Sequence, residues 1–98
     1  MINRVVRMEF ELTKVSIFIE VFNESKQHIA HFPGCKSLRL CKDPIHDNVY
    51  YTLSVWEKEE DLENYRYSEL FKKIWAATKI LFSAKPQAFS LKDWDIVR

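Results

Sequence analysis

The first segment of the chain, from about Ile2 to Phe10, alternates between two sets of side chains, as a β-strand does. One face is apolar except for Arg4, and the other face is mixed and carries Asn3 and Arg7. From Thr13, a predicted helix cap, the spacing of apolar residues changes to three and four. This spacing predicts a helix that ends near His31 and buries one face: Val15, Phe18, Ile19, Phe22 and Ile29.

A proline and the chain's only glycine separate this helix from the next strand. Pro33 cannot continue a helix, and its fixed φ suits the first corner of a turn. Gly34 can adopt the positive φ that a type II turn requires at its second corner. The second strand is predicted over about Lys36 to Lys42. A hairpin loop then leads to a third strand, Val49 to Trp56, whose two faces both carry large side chains.

A helical region is predicted to start between Glu57 and Asp61, and Ser68 is predicted to cap a further segment. That segment carries a broad apolar stripe: Leu70, Phe71, Ile74, Trp75, Thr78, Leu81 and Phe82. Pro86 ends it, and the last strand is predicted over about Gln87 to Trp94. The order βαββαβ predicts an α+β, ferredoxin-like fold with a four-stranded antiparallel sheet and helices on one face. We expect a second copy of the chain to cover the other, partly apolar sheet face.

Composition narrows the classes of protein and partner. Ninety-eight residues form a single domain, residues 1–98, and a 47% hydrophobic content is ample for a core. The net charge of +1 gives no reason to expect nucleic acid or a membrane surface as a partner. No apolar run approaches ~20 residues, and the N-terminus lacks a signal-peptide core, so we expect the cytoplasm. Cys35 and Cys41 are too few for a zinc site or a disulfide framework, and no metal site is predicted.

Two parts of the sequence together resemble a known family. The first is the turn Phe32-Pro33-Gly34-Cys35, and the second begins with the strand segment Tyr51-Thr52-Leu53-Ser54-Val55-Trp56-Glu57. The second part continues along the helical region: Leu62, Tyr65, Ser68 and Phe71. The chain is similar, over nearly its whole length, to the antibiotic-biosynthesis-monooxygenase domain, a family of dimeric α+β barrels. The resemblance implies a homodimer with a cavity between the helices and the sheet of each subunit.

The family resemblance implies a cofactor-independent monooxygenase that acts on a small phenolic, quinol or polyketide-like substrate. Such a substrate, as an anion, itself gives an electron to oxygen, so the protein has to bind it in an apolar pocket and stabilise its charge. The residues predicted to be catalytic are Asn3, Trp56 and Tyr65. Those predicted to bind substrate are Arg7, Phe22, Phe71 and Trp75. Each also has an ordinary structural interpretation, as part of the core or as a polar group in contact with solvent.

Three alternatives remain open at this point. One is a dimeric domain that binds a small hydrophobic or aromatic molecule without catalysis. Another is heme binding and degradation, in which Asn3 matches the family's asparagine, Tyr65 stands at its tryptophan and Trp75 stands at its heme-ligating histidine. An indole cannot ligate iron, which counts against heme. The fold also hosts lactone isomerases and dehalogenases, so fold alone does not choose a reaction.

Overall fold

The computed structural model describes all 98 residues. The elements follow one another in this order: β1 (Ile2–Glu9), a 3-10 turn (Leu12–Lys14), α1 (Val15–Ala30), β2 (Cys35–Lys42), β3 (Val49–Trp56), α2 (Glu59–Arg66), α3 (Glu69–Lys79) and β4 (Gln87–Lys92). The strands form one antiparallel sheet in the order β2-β3-β1-β4. The predicted ferredoxin-like α+β fold is confirmed, with the second helical region divided into two helices.

The starts of the helices agree only in part with the sequence. Ser68 caps α3 as predicted, because its Oγ accepts a hydrogen bond from the N–H of Phe71 at 3.1 Å. Thr13 does not cap α1; it lies in the 3-10 turn, and α1 has no side-chain cap. Here a short turn that continues directly into the helix replaces the capping interaction.

The end of α3 is also corrected by the structure. The apolar stripe predicted a helix as far as Phe82, but α3 stops at Lys79. Beyond it, the backbone pairs with the end of β1: the carbonyl of Leu81 accepts from the N–H of Glu11 at 3.1 Å, and the N–H of Ser83 donates to the carbonyl of Glu9 at 2.9 Å. Leu81 is buried in the core all the same, so the apolar pattern was right about burial and wrong about helix length.

The predicted type II turn is confirmed. Gly34 has a φ of +88°, and the N–H of Cys35 donates to the carbonyl of Phe32 at 2.9 Å. The turn packs closely against α2, since a Cβ built on Gly34 would overlap the side chain of Asp61, its Cβ included. The carbonyl of Gly34 also accepts from the N–H of Glu57 at 2.8 Å, which ties the turn to the start of the second helical region.

Two core clusters lie between the sheet and the helices, near opposite ends of β1. The first contains Ile2, Ile29, Trp56, Leu62 and Tyr65. The second contains Met8, Phe10, Phe18 and Leu81. The residues of β1 between the clusters that face the helices are Arg4 and Val6, and neither is fully buried. The core therefore narrows at the middle of the sheet and leaves space there.

The sheet face opposite the helices is uncovered in a single chain. Its central side chains, Val5, Leu53 and Val55, are half-buried by their neighbours, while Phe89 and Leu91 on β4 are 54% and 55% exposed. All six residues of β4 are exposed, including those that point towards the helices. None of the helices combines the length and the apolar character that a membrane span requires.

Candidate ligand cavity

A cavity of about 360 Å³ occupies the space between the two core clusters. Its floor is the helix-facing side of β1 and β3, and its walls come from α1, α2 and α3. Fourteen of the twenty-one lining residues are hydrophobic, which favours an apolar ligand with a few polar groups. The volume falls within the ~300–1,000 Å³ typical of small-molecule sites.

Five of the seven predicted site residues line this cavity together: Phe22, Trp56, Tyr65, Phe71 and Trp75. Four of them form a continuous aromatic row. Trp56 stacks on Tyr65 with ring centroids 5.1 Å apart, Tyr65 meets Phe71 edge-on at 5.3 Å, and Phe71 stacks on Trp75 at 5.8 Å. The row gives the cavity a long aromatic wall built from the end of β3, α2 and α3.

The structure does not bring the other two predicted residues, Asn3 and Arg7, to the cavity. They share a face of β1, as predicted, but that face points away from the helices. Asn3 Nδ2 donates to Asp93 Oδ1 at 3.0 Å, and Arg7 pairs with Glu9 at 3.4 Å. The prediction that they act in the cavity is therefore corrected, because side chains alternate along a strand and the apolar set, to which Arg4 belongs, is the one that faces the helices.

Arg4 is the cavity residue that the sequence prediction missed. Its Nη1 donates to Ser90 Oγ on β4 at 3.0 Å. Burial in the cavity wall lowers the pKa of its guanidinium, the neighbouring charge of Arg66 lowers it further, and Glu63 acts in the opposite direction. Arg66 also lines the cavity, and it pairs with Glu63 at 2.8 Å. The available signal was the single cationic residue on an otherwise apolar strand face.

Trp56 is fixed by a hydrogen bond within the cavity floor. Its indole is 1% exposed, and Nε1 donates to Ser54 Oγ at 3.0 Å. The N–H is therefore engaged with the protein, and Ser54 keeps its own hydroxyl proton to donate. Ser54 was not predicted, although a small polar residue two positions before a tryptophan on one strand face is a visible feature of the sequence.

Tyr65 presents a neutral phenol to the cavity. The residue is 9% exposed, its hydroxyl makes no hydrogen bond within the protein, and no buried polar side-chain atom is left enclosed without a partner. The hydroxyl therefore reaches open space. Burial raises the pKa of the phenol well above its ordinary range, and the nearby Cys35 acts in the same direction. Tyr65 is consequently a hydrogen-bond donor near neutral pH, and a phenolate base is disfavoured.

Acidic and imidazole side chains are absent from the cavity wall. No Asp, Glu or His is among its lining residues, and His28, His31 and His46 are all exposed elsewhere. The chain has no group of three or more His, Cys, Asp or Glu side chains placed to hold a metal ion. The charged groups of the cavity wall are therefore both cations, Arg4 and Arg66, and its other polar groups are hydroxyls: Ser25, Thr52, Ser54, Tyr65 and Thr78. The hydroxyls of Ser25 and Thr78 already donate to carbonyls of their own helices.

The fold and this cavity define a small α+β domain with a largely apolar cavity between its helices and its sheet. A family model described as antibiotic biosynthesis monooxygenase matches residues 1–77. Because that match covers most of the sequence, the chain belongs to the antibiotic biosynthesis monooxygenase family. The matched range contains the cavity residues of β1, β3 and α2 and most of those of α3.

Several solved structures share the fold at low sequence identity. A conserved protein from Methanosarcina mazei Go1 has a TM-score of 0.91 at 16% identity, with 95% of this chain and 92% of that chain covered. A crystal structure described as an antibiotic biosynthesis monooxygenase has a TM-score of 0.91 at 12% identity, covering 97% and 100%. SnoaB from Streptomyces nogalater, described as a cofactor-independent oxygenase and solved as a point mutant, has a TM-score of 0.85 at 18% identity, covering 98% and 95%. A search of curated proteins finds no match.

Proposed function

We propose that this protein is a cofactor-independent monooxygenase that acts on a small phenolic, quinol or polyketide-like substrate. The observation that carries the proposal is the aromatic row Trp56–Tyr65–Phe71–Trp75 along a cavity whose only charged groups are cations. Flat aromatic walls bind flat aromatic rings by stacking. The family membership and the cofactor-independent oxygenase among the similar folds support the same conclusion.

The proposed reaction uses the electrons of the substrate. A methylene between two aryl rings, as in an anthrone, loses a proton to give an extended enolate, which passes an electron to dioxygen. One oxygen atom becomes the carbonyl of the product, and the other leaves as water with the two hydrogens of the methylene. The substrate supplies all four electrons, so the balance needs no other reductant.

The cavity residues would act by binding and by charge stabilisation. Because the wall has no carboxylate or imidazole, solvent has to take the substrate proton, and the protein lowers the cost by stabilising the resulting anion. The free hydroxyls of Ser54 and Tyr65 are suited to donate to substrate oxygens. The apolar walls keep those donors in a low-dielectric space, where they are most effective.

Oxygen uptake tests this proposal. The purified protein, treated with a chelator, is given anthrone and a simple quinol, and uptake is compared with autoxidation in buffer. We expect uptake above that rate. We further expect loss of at least tenfold in Trp75→Ala, which removes a half-buried ring from the wall, and no change in Lys73→Gln on the exposed side of α3. Uptake equal to autoxidation with every substrate would refute the proposal.

A non-enzymatic ligand-binding domain is the second candidate function. The observation that favours it is the lack of any acid–base side chain in the cavity wall. Heme degradation is less well supported, since no histidine or cysteine lines the cavity and Trp75 occupies the place of the family's ligand. A heme titration alongside the oxygen assay separates them: a Soret band that saturates at one heme per chain would favour heme binding.

We also propose a homodimer through the sheet face opposite the helices. That face carries the apolar residues Val5, Leu53, Val55, Phe89 and Leu91, and a second copy offers the same surface in return. Burying Phe89 and Leu91, which are more than half exposed in one chain, would stabilise the assembly. A cytoplasmic location is proposed as well, because both cysteines are unpaired and a reducing compartment maintains free thiols.

A further inference from the structure

Arg4 is a charged side chain among uncharged neighbours in the cavity floor. It stands at the middle of β1, opposite Ser54 on β3 and Ser90 on β4 in the strand register. A guanidinium has five N–H donors in a planar fork, and Arg4 donates one hydrogen bond, at 3.0 Å, to Ser90 Oγ. Its remaining donors have no protein partner. The other side chains around it in the floor are aliphatic, aromatic or hydroxylic.

Arg4 also lacks a counter-ion. None of the six ion pairs in the protein includes it, and the carboxylate whose charge acts on it, that of Glu63, is already paired with Arg66 at 2.8 Å. Two cations thus line the cavity, and the single carboxylate beside them, that of Glu63, is outside its wall. A half-buried cation without an anionic partner is costly, and burial together with Arg66 lowers the pKa of Arg4 accordingly. An anion from outside the protein would relieve that cost.

Arg4 lies next to the exposed strand β4 through its bond to Ser90, and Arg66 is close enough for its charge to act on Arg4. Arg66 is exposed on α2, and the neighbouring wall residue Ala88 belongs to β4, whose six residues are all exposed. The aromatic row lines the part of the cavity that runs along α2 and α3. The cavity therefore combines positive charge next to exposed residues with aromatic surface along the wall, an arrangement that favours a flat molecule with an anion at one edge.

We propose that the cavity selects planar aromatic ligands that carry an anionic oxygen, and that Arg4, assisted by Arg66, is the residue that recognises that anion. The proposal rests on the proposed function only for the aromatic character of the ligand. The recognised group is a carboxylate or an enolate or phenolate oxygen, all of which present an acceptor edge to a guanidinium. In the proposed reaction this contact would also hold the charge that develops on the substrate.

Calorimetric titration with a matched pair of probes tests the selection. 2-Naphthoate and 2-naphthamide have the same rings and nearly the same shape, and only the first is charged. We expect wild-type protein to bind 2-naphthoate at least tenfold more tightly than 2-naphthamide. Arg4→Gln should abolish that preference while still binding the amide, which shows that the cavity is intact. Arg4→Lys should retain part of the preference, and Lys73→Gln, which removes an equal charge on α3, should leave it unchanged.

Glu63 supplies a second, independent variant. Its carboxylate competes for Arg66, so Glu63→Gln should strengthen 2-naphthoate binding about two- to threefold and leave 2-naphthamide binding unaltered. To learn which anion is bound, 2-naphthol is titrated at increasing pH. Tighter binding as the naphthol ionises assigns the site to phenolates as well as carboxylates, and unchanged binding restricts it to carboxylates.

The outcomes separate this proposal from the proposed function. Equal affinity for the two probes in wild-type protein, or a preference that survives Arg4→Gln, would overturn the assignment even if oxygen uptake is observed. A preference that depends on Arg4 in a protein that consumes no oxygen would support anion recognition and leave the monooxygenase proposal refuted.

Discussion

Ser54→Ala gives the most direct test of how the cavity floor is built. The indole N–H of Trp56 is enclosed, since the residue is 1% exposed, and its hydrogen-bond partner is Ser54 Oγ at 3.0 Å. Alanine removes that acceptor without adding volume. The N–H then stays buried without a hydrogen-bond acceptor, and an unsatisfied buried donor lowers the free energy of unfolding by ~1–3 kcal/mol. We expect Ser54→Ala to lower the free energy of unfolding by about 2 kcal/mol.

A double-mutant cycle isolates that hydrogen bond from the general effect of shortening a side chain. Trp56→Phe removes the N–H and is destabilising by itself, because the smaller ring leaves a cavity. Once Trp56→Phe is in place, adding Ser54→Ala should cost less than about 0.5 kcal/mol, which makes the coupling energy between the two positions at least about 1.5 kcal/mol. Thr52→Ala, on the same face of β3, is the control, since Thr52 Oγ1 makes no hydrogen bond and the change should cost less than ~1 kcal/mol.

Urea denaturation at one fixed protein concentration provides these free energies, and a common concentration is needed because dimerisation would add to the apparent stability. In thermal unfolding, the loss of about 2 kcal/mol corresponds to a Tm lower by ~8–16 °C for a domain of this size. Equal costs for Ser54→Ala in the wild-type and Trp56→Phe proteins would show that the indole N–H is not bonded to Ser54, and the described cavity floor would be wrong.

Three further predictions concern the turn, the buried phenol and the sheet face. Gly34→Ala should lower the free energy of unfolding, measured by urea denaturation, by ~2–4 kcal/mol, because of the strain at φ +88° and the overlap with the side chain of Asp61. Adding Asp61→Gly should recover part of this loss. Adding Asp61→Ala should recover none, because alanine keeps the Cβ that takes part in the overlap. Burial raises the pKa of Tyr65 in the folded state above its ordinary 10.0, so the folded state holds the phenol proton more tightly than the unfolded state does. The contribution of Tyr65 to stability is therefore full below pH 10 and is lost as the pH rises above 10. Tyr65→Phe should flatten that alkaline fall in the free energy of unfolding, and an equally steep fall in the variant would contradict the assignment. Leu53→Asp or Val55→Asp should disrupt assembly or folding, measured as mass in solution and Tm, because a charge there would be buried without a partner; normal mass and Tm in both would refute the proposed interface.

The sequence predicted elements well wherever local pattern and tertiary contacts agree. β3 has the predicted bounds, Val49–Trp56, because its aromatic and β-branched residues pack on both faces. The turn at Gly34 was predictable because a positive φ leaves few other residues possible. The helical members of the aromatic row were predictable from their spacing, and the division between α2 and α3 was predictable from the capping residue Ser68.

The sequence predictions were wrong where contacts with a distant part of the chain determine the local structure. α3 ends before the predicted Phe82 because residues 81–83 pair with the end of β1, and no local sequence pattern predicts that pairing. Asn3 was assigned to the cavity because it matches the asparagine of the resembling family, and Arg7 because it shares a face of β1 with Asn3 and could hold a phenolate. The structure instead turns the apolar face of β1 towards the helices, and Arg4, the one polar residue on that face, lines the cavity together with Val6 and Met8.

The weak attachment of β4 has a consequence for motion. The strand is hydrogen-bonded only to β1, through six residue pairs, and none of its residues is buried. Segments of this kind detach locally at a free energy well below that of global unfolding. Ala88 and the partner of Arg4, Ser90, both belong to this strand, so each transient detachment in an isolated chain widens the cavity and releases the guanidinium. Pairing of two chains across the sheet face would slow that detachment, and the exchange of ligand would then depend on assembly as well as on affinity.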